Sequence, residues 1–187
     1  MISKKLLTFL DKNDISYEAH EHRKVFTAYD TAATLHIPLE MVIKALCVNT
    51  KKGFIFVLVP ANRRIDLKKV ARICGVSKVS LPTEKEIAKK LPLTSRNVPL
   101  LPLGFFYSCE TLIEKSLLTL KKAYLGSGDF KYSLLIQPKA LMILEGIRTD
   151  SFCLPGKQKL VVPKLPKKQK TKPVKSVKKK IKVKKRK

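Results

Sequence analysis

Lys44 is the residue of this 187-residue chain best suited to chemistry. It interrupts Met41-Val42-Ile43-Lys44-Ala45-Leu46-Cys47-Val48, an otherwise apolar run that reads as a strand. Strand periodicity puts Val42, Leu46 and Val48 on its own face. A lysine there must desolvate its ammonium, extend it to water, or meet an anion. Two readings stand open: a strand-edge lysine reaching solvent, or a lysine aimed into a pocket that receives phosphate or carboxylate. A second group is Gly126-Ser127-Gly128-Asp129. It can be a tight turn, or a flexible backbone whose N–H groups face an anion or carbonyl. Asp129 can hold a ligand hydroxyl or amine, or serve as an Asx-type turn residue.

Other catalytic signatures are absent. The sequence has no GxSxG, no HExxH and no GxxxxGK[ST]. Gly126-Ser127-Gly128 lacks the third glycine of a dinucleotide fingerprint and comes late in the chain. Cys47, Cys74, Cys109 and Cys153 never form a CxxC pair, which argues against a zinc ribbon or redox motif. They read as reduced packing thiols in a cytoplasmic protein. No metal site and no cofactor is expected.

These residues need elements to hold them. Ile2, Leu6, Phe9 and Leu10 form a helical stripe behind a possible Ser3 cap, stopped at Asn13-Asp14. Ser16 to His20 alternates as a short strand, and Thr27 to Leu35 reads as a helix ended before Pro38. Lys51-Lys52-Gly53 turns the Lys44 strand into Phe54 to Val59, a hairpin. Asp66 caps a helix to about Cys74, with Gly75 past its end, and Thr83 with Glu86 makes a capping box. Pro92 to Gly104 reads as a loop. Phe105 to Cys109 and Tyr132 to Gln137 look like strands, and Pro138 opens a closing helix. The expectation is one α/β domain over a mixed sheet, residues 1–150, followed by a distinct segment, residues 151–187.

That segment differs in composition. Lys157 to Lys187 holds fifteen lysines and Arg186 with no acid, for +16 of the chain's net +26. It has prolines and no aromatic residue, so it cannot bury enough apolar surface to offset its ordering entropy. The expectation is a disordered basic tail. Lys167, Lys168, Lys178, Lys179, Lys180, Lys184, Lys185 and Arg186 suit a polyanion, RNA first, through counterion release and without sequence readout. No run approaches the roughly 20 apolar residues that span a bilayer, and the N-terminus lacks a signal-like apolar core. No membrane partner is expected.

Tyr17 and His22, Ala32-Ala33, Val42-Ile43-Lys44-Ala45-Leu46, Phe54 to Pro60, Asp66-Leu67-Lys68-Lys69, Pro102-Leu103-Gly104 and Gly126-Ser127-Gly128-Asp129 follow in that order over residues 5–145. In these motifs and their spacing the chain resembles the YbaK/prolyl-tRNA-synthetase-associated editing domains. It implies a single α/β domain on a mixed, partly barrel-like sheet with flanking helices. It implies hydrolysis of the ester joining a wrong amino acid to the terminal adenosine of tRNA. With no synthetase body in the sequence, the expected action is in trans. The partners implied are the aminoacylated acceptor end of tRNA and, second, an aminoacyl-tRNA synthetase.

The resemblance places the family's central lysine on Lys44 and its late turn on Gly126, Ser127, Gly128 and Asp129. It places substrate contacts on Tyr17, His22, Pro99, Leu101, Pro102 and Gly104. Many relatives have a glycine where this chain has Val98 or Asn97, and two prolines where it has Leu101-Pro102. Valine does not readily take positive φ, so loop shape and substrate preference are affected. The implied chemistry uses water as nucleophile, Lys44 to fix the acceptor end, and backbone N–H groups near 127–129 or 99–104 for the oxyanion. The competing reading is a non-catalytic RNA-binding module that keeps the editing fold with an altered pocket.

Overall fold

The computed structural model of the protein describes residues 2–91 and 99–156. The described residues form four short α-helices and eight strands. Helix α1, Lys4–Lys12, starts where the Ser3 hydroxyl accepts the Leu6 N–H, and it fully buries Leu6 and Leu10. It ends at Asn13, with Asp14 in the left-handed region at φ 54. Helix α2, Ala28–Leu35, opens on a Thr27–Asp30 capping box. Helix α3, Leu67–Ile73, is capped by Asp66, which accepts from the Lys68 and Lys69 N–H groups. Helix α4, Glu84–Lys90, opens on the Thr83–Glu86 capping box.

The strands form two sheets. One is antiparallel with order β1-β7-β6: β1 is Tyr17–Glu21, β7 is Tyr132–Ile136 and β6 is Ala123–Gly126. The other has order β4-β2-β3-β5-β8. Its members are β2 (Ile43–Thr50), β3 (Gly53–Pro60), β4 (Val79–Ser80), β5 (Thr111–Glu114) and β8 (Ile147–Asp150). Pairs β2–β3 and β2–β4 are antiparallel, whereas β3–β5 and β5–β8 are parallel. A bridge between Val42 and Tyr124 ties the sheets together. The expected mixed α/β architecture is present, with its strands divided between two sheets, and the described residues form no closed barrel.

Strand β3 explains why two layers suffice. It is buried on both faces from Phe54 to Pro60. Phe54, Phe56 and Leu58 point into the larger core with Leu6, Leu10, Leu125 and Leu134, while Ile55, Val57 and Val59 point into a second core under α3. This is the period-two alternation of a central strand covered on both sides.

Two expectations change. Phe105–Cys109 is no strand: Gly104–Tyr107 forms a 3-10 turn, Ser108 is left-handed at φ 53, and the Cys109 N–H donates to Gly104 O at 3.0 Å. The strand comes later, at β5. The expected closing helix after Pro138 is likewise a 3-10 segment, Pro138–Ile143.

Packing also continues past Asp150. Phe152 is fully buried, and the Phe152 and Cys153 N–H groups donate to the buried Glu114 carboxylate, each at 2.8 Å. No helix among the described residues is long and apolar enough to cross a membrane.

Candidate active site

A cavity of about 260 Å³ opens where the two sheets meet. Its walls include Val42 and the start of β2 (Ile43 to Ala45), the start of α2, His22, Pro99, and Gly126, Asp129, Phe130, Tyr132 and Ser133. The Val42–Tyr124 bridge fixes its base, since it locks β2 to β6 just where both strands contribute wall.

Lys44 lines this cavity, half-buried. Its Nζ donates to Arg63 O at 3.0 Å, which uses one of three ammonium donors. Burial lowers its pKa below the ordinary 10.5; nearby Cys153 opposes this and the Arg64 cation adds to it. Such an ammonium, with two further donors, is poised to gain from an anion.

Both ring nitrogens of His22 are engaged in the wall. Its Nδ1 lies 2.8 Å from Arg23 O and its Nε2 lies 2.9 Å from Ser133 Oγ. A carbonyl oxygen only accepts, so Nδ1 carries the proton. In the neutral ring Nε2 then accepts from the Ser133 hydroxyl. Ser133 and His22 are both buried yet line the cavity. The serine's lone pairs are thereby left for a ligand donor. Ser133 is the residue the sequence reading missed; its partner is 111 positions away.

The late turn divides into wall and scaffold. Gly126 and Asp129 line the cavity, whereas Ser127 is fully buried and its hydroxyl donates to Tyr132 O at 2.6 Å. Gly128 sits at φ +77, and a Cβ there would come within 2.7 Å of Leu101 Cδ2 and 3.1 Å of Ser3 Cβ. Ser127 and Gly128 thus hold the turn against α1 and the 99–104 segment. Burial raises the pKa of Asp129, but hydrogen bonds, the Lys131 N–H at 2.7 Å among them, more than offset that and leave it lowered.

The remaining candidates separate. Pro99 reaches the cavity. Leu101, Pro102 and Gly104 are buried in the fold. The Leu101 N–H donates to Tyr107 Oη and the Gly104 N–H to Thr111 Oγ1, both at 2.9 Å. The Asp129 N–H goes to Ser127 Oγ at 3.3 Å. The backbone donors expected to hold an oxyanion at these three positions are thus already engaged. Tyr17 lies at the far end of β1, opposite Ile136, while Glu21 at the near end faces Tyr132. Tyr17 is not part of the cavity wall. Burial and then the Asp11 carboxylate raise its pKa. Val98, Asn97 and the basic residues of 157–187 lie outside the described residues.

At the cavity mouth Phe26 is 69% exposed, its ring 5.0 Å from that of Phe130, with Lys24 Nζ 5.0 and 5.5 Å from the two centroids. An exposed aromatic pair beside a cation offers a stacking surface for a planar ring.

Comparison with known proteins agrees with this architecture. The family model described as "Aminoacyl-tRNA editing domain" matches residues 22–144. A proline--tRNA ligase of Xanthomonas campestris pv. campestris is 34% identical over 65 residues, 35% of this chain and 12% of that protein. One from Xylella fastidiosa is 30% identical over 88 residues, 45% of this chain and 16% of that protein. The chain therefore spans less than a fifth of the length of these relatives. Among solved structures, a hypothetical protein superposes with a TM-score of 0.70 at 19% identity, covering 81% of this chain and all of that one. A proposed trans-editing enzyme for prolyl tRNA synthetase superposes with a TM-score of 0.67 at 19% identity, covering 82% and 99%. At these identities the two structures establish the fold.

Proposed function

The chain belongs to the aminoacyl-tRNA editing domain family, and from that premise we propose that it hydrolyses the ester of mischarged tRNA, acting in trans in the cytoplasm. The observation that carries this reading is one small cavity presenting a lysine, a carboxylate and a His-oriented serine together.

The polarity of the wall matches the polarity of an aminoacyl ester. The substrate has an α-ammonium at one end and a phosphate beyond the ribose at the other. Asp129 and the free lone pairs of Ser133 hold the ammonium. Lys44 takes the phosphate or ribose side, with Phe26 and Phe130 stacking the terminal base. Fixing both ends leaves the ester carbonyl in one orientation, and an already reactive ester needs little more. Water is the nucleophile. It adds to the carbonyl carbon, the ribose oxygen leaves with a proton, and the free amino acid departs.

Volume sets selectivity. About 260 Å³ is below the ~300–1,000 Å³ of sites that enclose drug-sized ligands. The cavity accepts a small aminoacyl group and leaves the nucleoside at the mouth. A second sieve for small amino acids is what a synthetase needs when binding cannot separate them.

The test is deacylation across Ala-, Cys-, Ser- and Pro-tRNA by the intact chain and by Lys44→Ala. The expected result is hydrolysis of one or a few small esters, reduced about a hundredfold in the variant. No turnover on any ester, with tRNA still bound, would replace this reading with a non-catalytic RNA-binding module.

A further inference from the structure

A larger open groove, about 690 Å³, runs along α1 on a different part of the surface. Lys4, Lys5, Thr8, Phe9 and Lys12 line one side of it. Their spacing puts them on one helical face. Phe105 and Phe106 line the other side. The three phenylalanines form a preassembled aromatic floor: Phe9 stacks on Phe105 at 4.3 Å, and Phe106 meets them edge-on at 5.2 and 5.7 Å. Phe105 is 57% exposed. Lys4, Lys5 and Lys12 are exposed and form no ion pair among the described residues. Only Glu145 carries negative charge on the groove wall.

An exposed aromatic platform flanked by unpaired cations has a specific chemical complement. Bases stack on the rings and phosphates pair with the ammonium groups. An apolar peptide would leave the lysines unpaired, and a duplex would hide the bases that the rings could stack. The helix that lines the groove is also tied to the turn beside the cavity. Ser3 at the start of α1 donates its N–H to Ser127 O at 3.2 Å, within the turn whose flanking residues Gly126 and Asp129 line the cavity. From Lys4 to Asn13 the helix extends roughly 14 Å away from that contact.

We propose that this groove binds single-stranded RNA, namely the unpaired 3′ strand of the tRNA acceptor end as it approaches the cavity. The inference rests on the deacylase reading for the identity of the RNA. Phe105 stacks a base, and Lys4, Lys5 and Lys12 track the phosphates.

The test uses the full chain and two RNA minihelices with the same duplex, one with a single-stranded 3′ overhang and one blunt. Attraction of the basic C-terminal segment to the duplex is common to both and cancels in the ratio of affinities. Phe105→Ala should weaken overhang binding about tenfold and leave blunt binding unchanged, and Phe105→Trp should restore it. Replacing Lys4, Lys5 and Lys12 with Gln should lower the salt dependence of overhang binding. Equal effects of Phe105→Ala on both RNAs, or none on either, would overturn the proposal. If overhang preference persists while no ester is hydrolysed, the groove assignment stands and the deacylase reading fails.

Discussion

The cavity between the sheets and the groove along α1 differ in how they present charge. In the cavity each polar group is already half-committed: Lys44 to Arg63 O, Ser133 to His22, Asp129 to the Lys131 N–H. The volume is small and the walls are fixed by β-sheet register. In the groove Lys4, Lys5 and Lys12 form no ion pair among the described residues, and Phe105 is exposed. A committed, partly desolvated group has one geometry and discriminates. An exposed, uncommitted group adds affinity and tolerates variation. The comparison assigns selection of the amino acid to the cavity and capture of the RNA to the groove.

Gly126→Val should separate the two most strongly. Gly126 pairs with Ser133 across β6–β7, so the two side chains share a face. A Cβ at Gly126 meets nothing within 4 Å. The new side chain should fill the cavity, lower kcat/KM at least about tenfold, and leave the melting temperature and RNA affinity unchanged. Steady-state deacylation and thermal melting check it. A fully active variant would remove this wall from the site.

Gly104→Ala should instead harm both regions. Its Cβ would lie 2.4 Å from Cys109 O and 2.7 Å from Glu110 O, both backbone atoms. The segment it anchors carries Leu101, packed on Gly128 beside the cavity, and Phe105, the floor of the groove. A loss of about 1–3 kcal/mol in denaturant unfolding is expected. A variant as stable as the parent would mean the two regions are not held by one scaffold.

The smallest effect concerns the thiols packed in the two cores. Burial pushes Cys47 and Cys153 up to about 12 from an ordinary value of 9.0. The folded state then holds protons that the unfolded state has lost. Stability contributed by these thiols is complete below pH 9 and falls as pH rises toward 12. Lys44, lowered from 10.5, works in the opposite direction, since the unfolded state binds its proton more tightly. At pH 8 neither cysteine should alkylate in the native protein, and both should do so on unfolding. Rapid native labelling of Cys47 would contradict its place in the core.

Local signals were readable and distant ones were not. The Thr27–Asp30 and Thr83–Glu86 boxes lie within one turn, and the second was visible as a pattern of residue types. Lys44 stood out because a charge in an apolar strand is locally anomalous. Strands β5, β6 and β8 have four residues each, too few for a period to register. The Phe105–Cys109 misreading has a local cause: Gly104, wedged under the Cys109 carbonyl, tightens aromatic residues that would otherwise favour a strand. Ser133 gave no signal at all, because its importance comes from His22 across β1–β7. Helix α1 was visible from its apolar stripe of Ile2, Leu6, Phe9 and Leu10, but its lysine-bearing face gave no signal, because the aromatic partners of Phe9 arrive from residues 105–106.

Single-turnover deacylation at saturating protein tests the division of labour most directly. Wild type, Lys44→Ala and Phe105→Ala would each be mixed with a small-aminoacyl tRNA that the wild type hydrolyses. The account predicts a slow rate for Lys44→Ala that more protein cannot rescue, and a wild-type rate for Phe105→Ala once binding is saturated. A Lys44→Ala rate equal to that of wild type, or no wild-type turnover on any small ester, would contradict it.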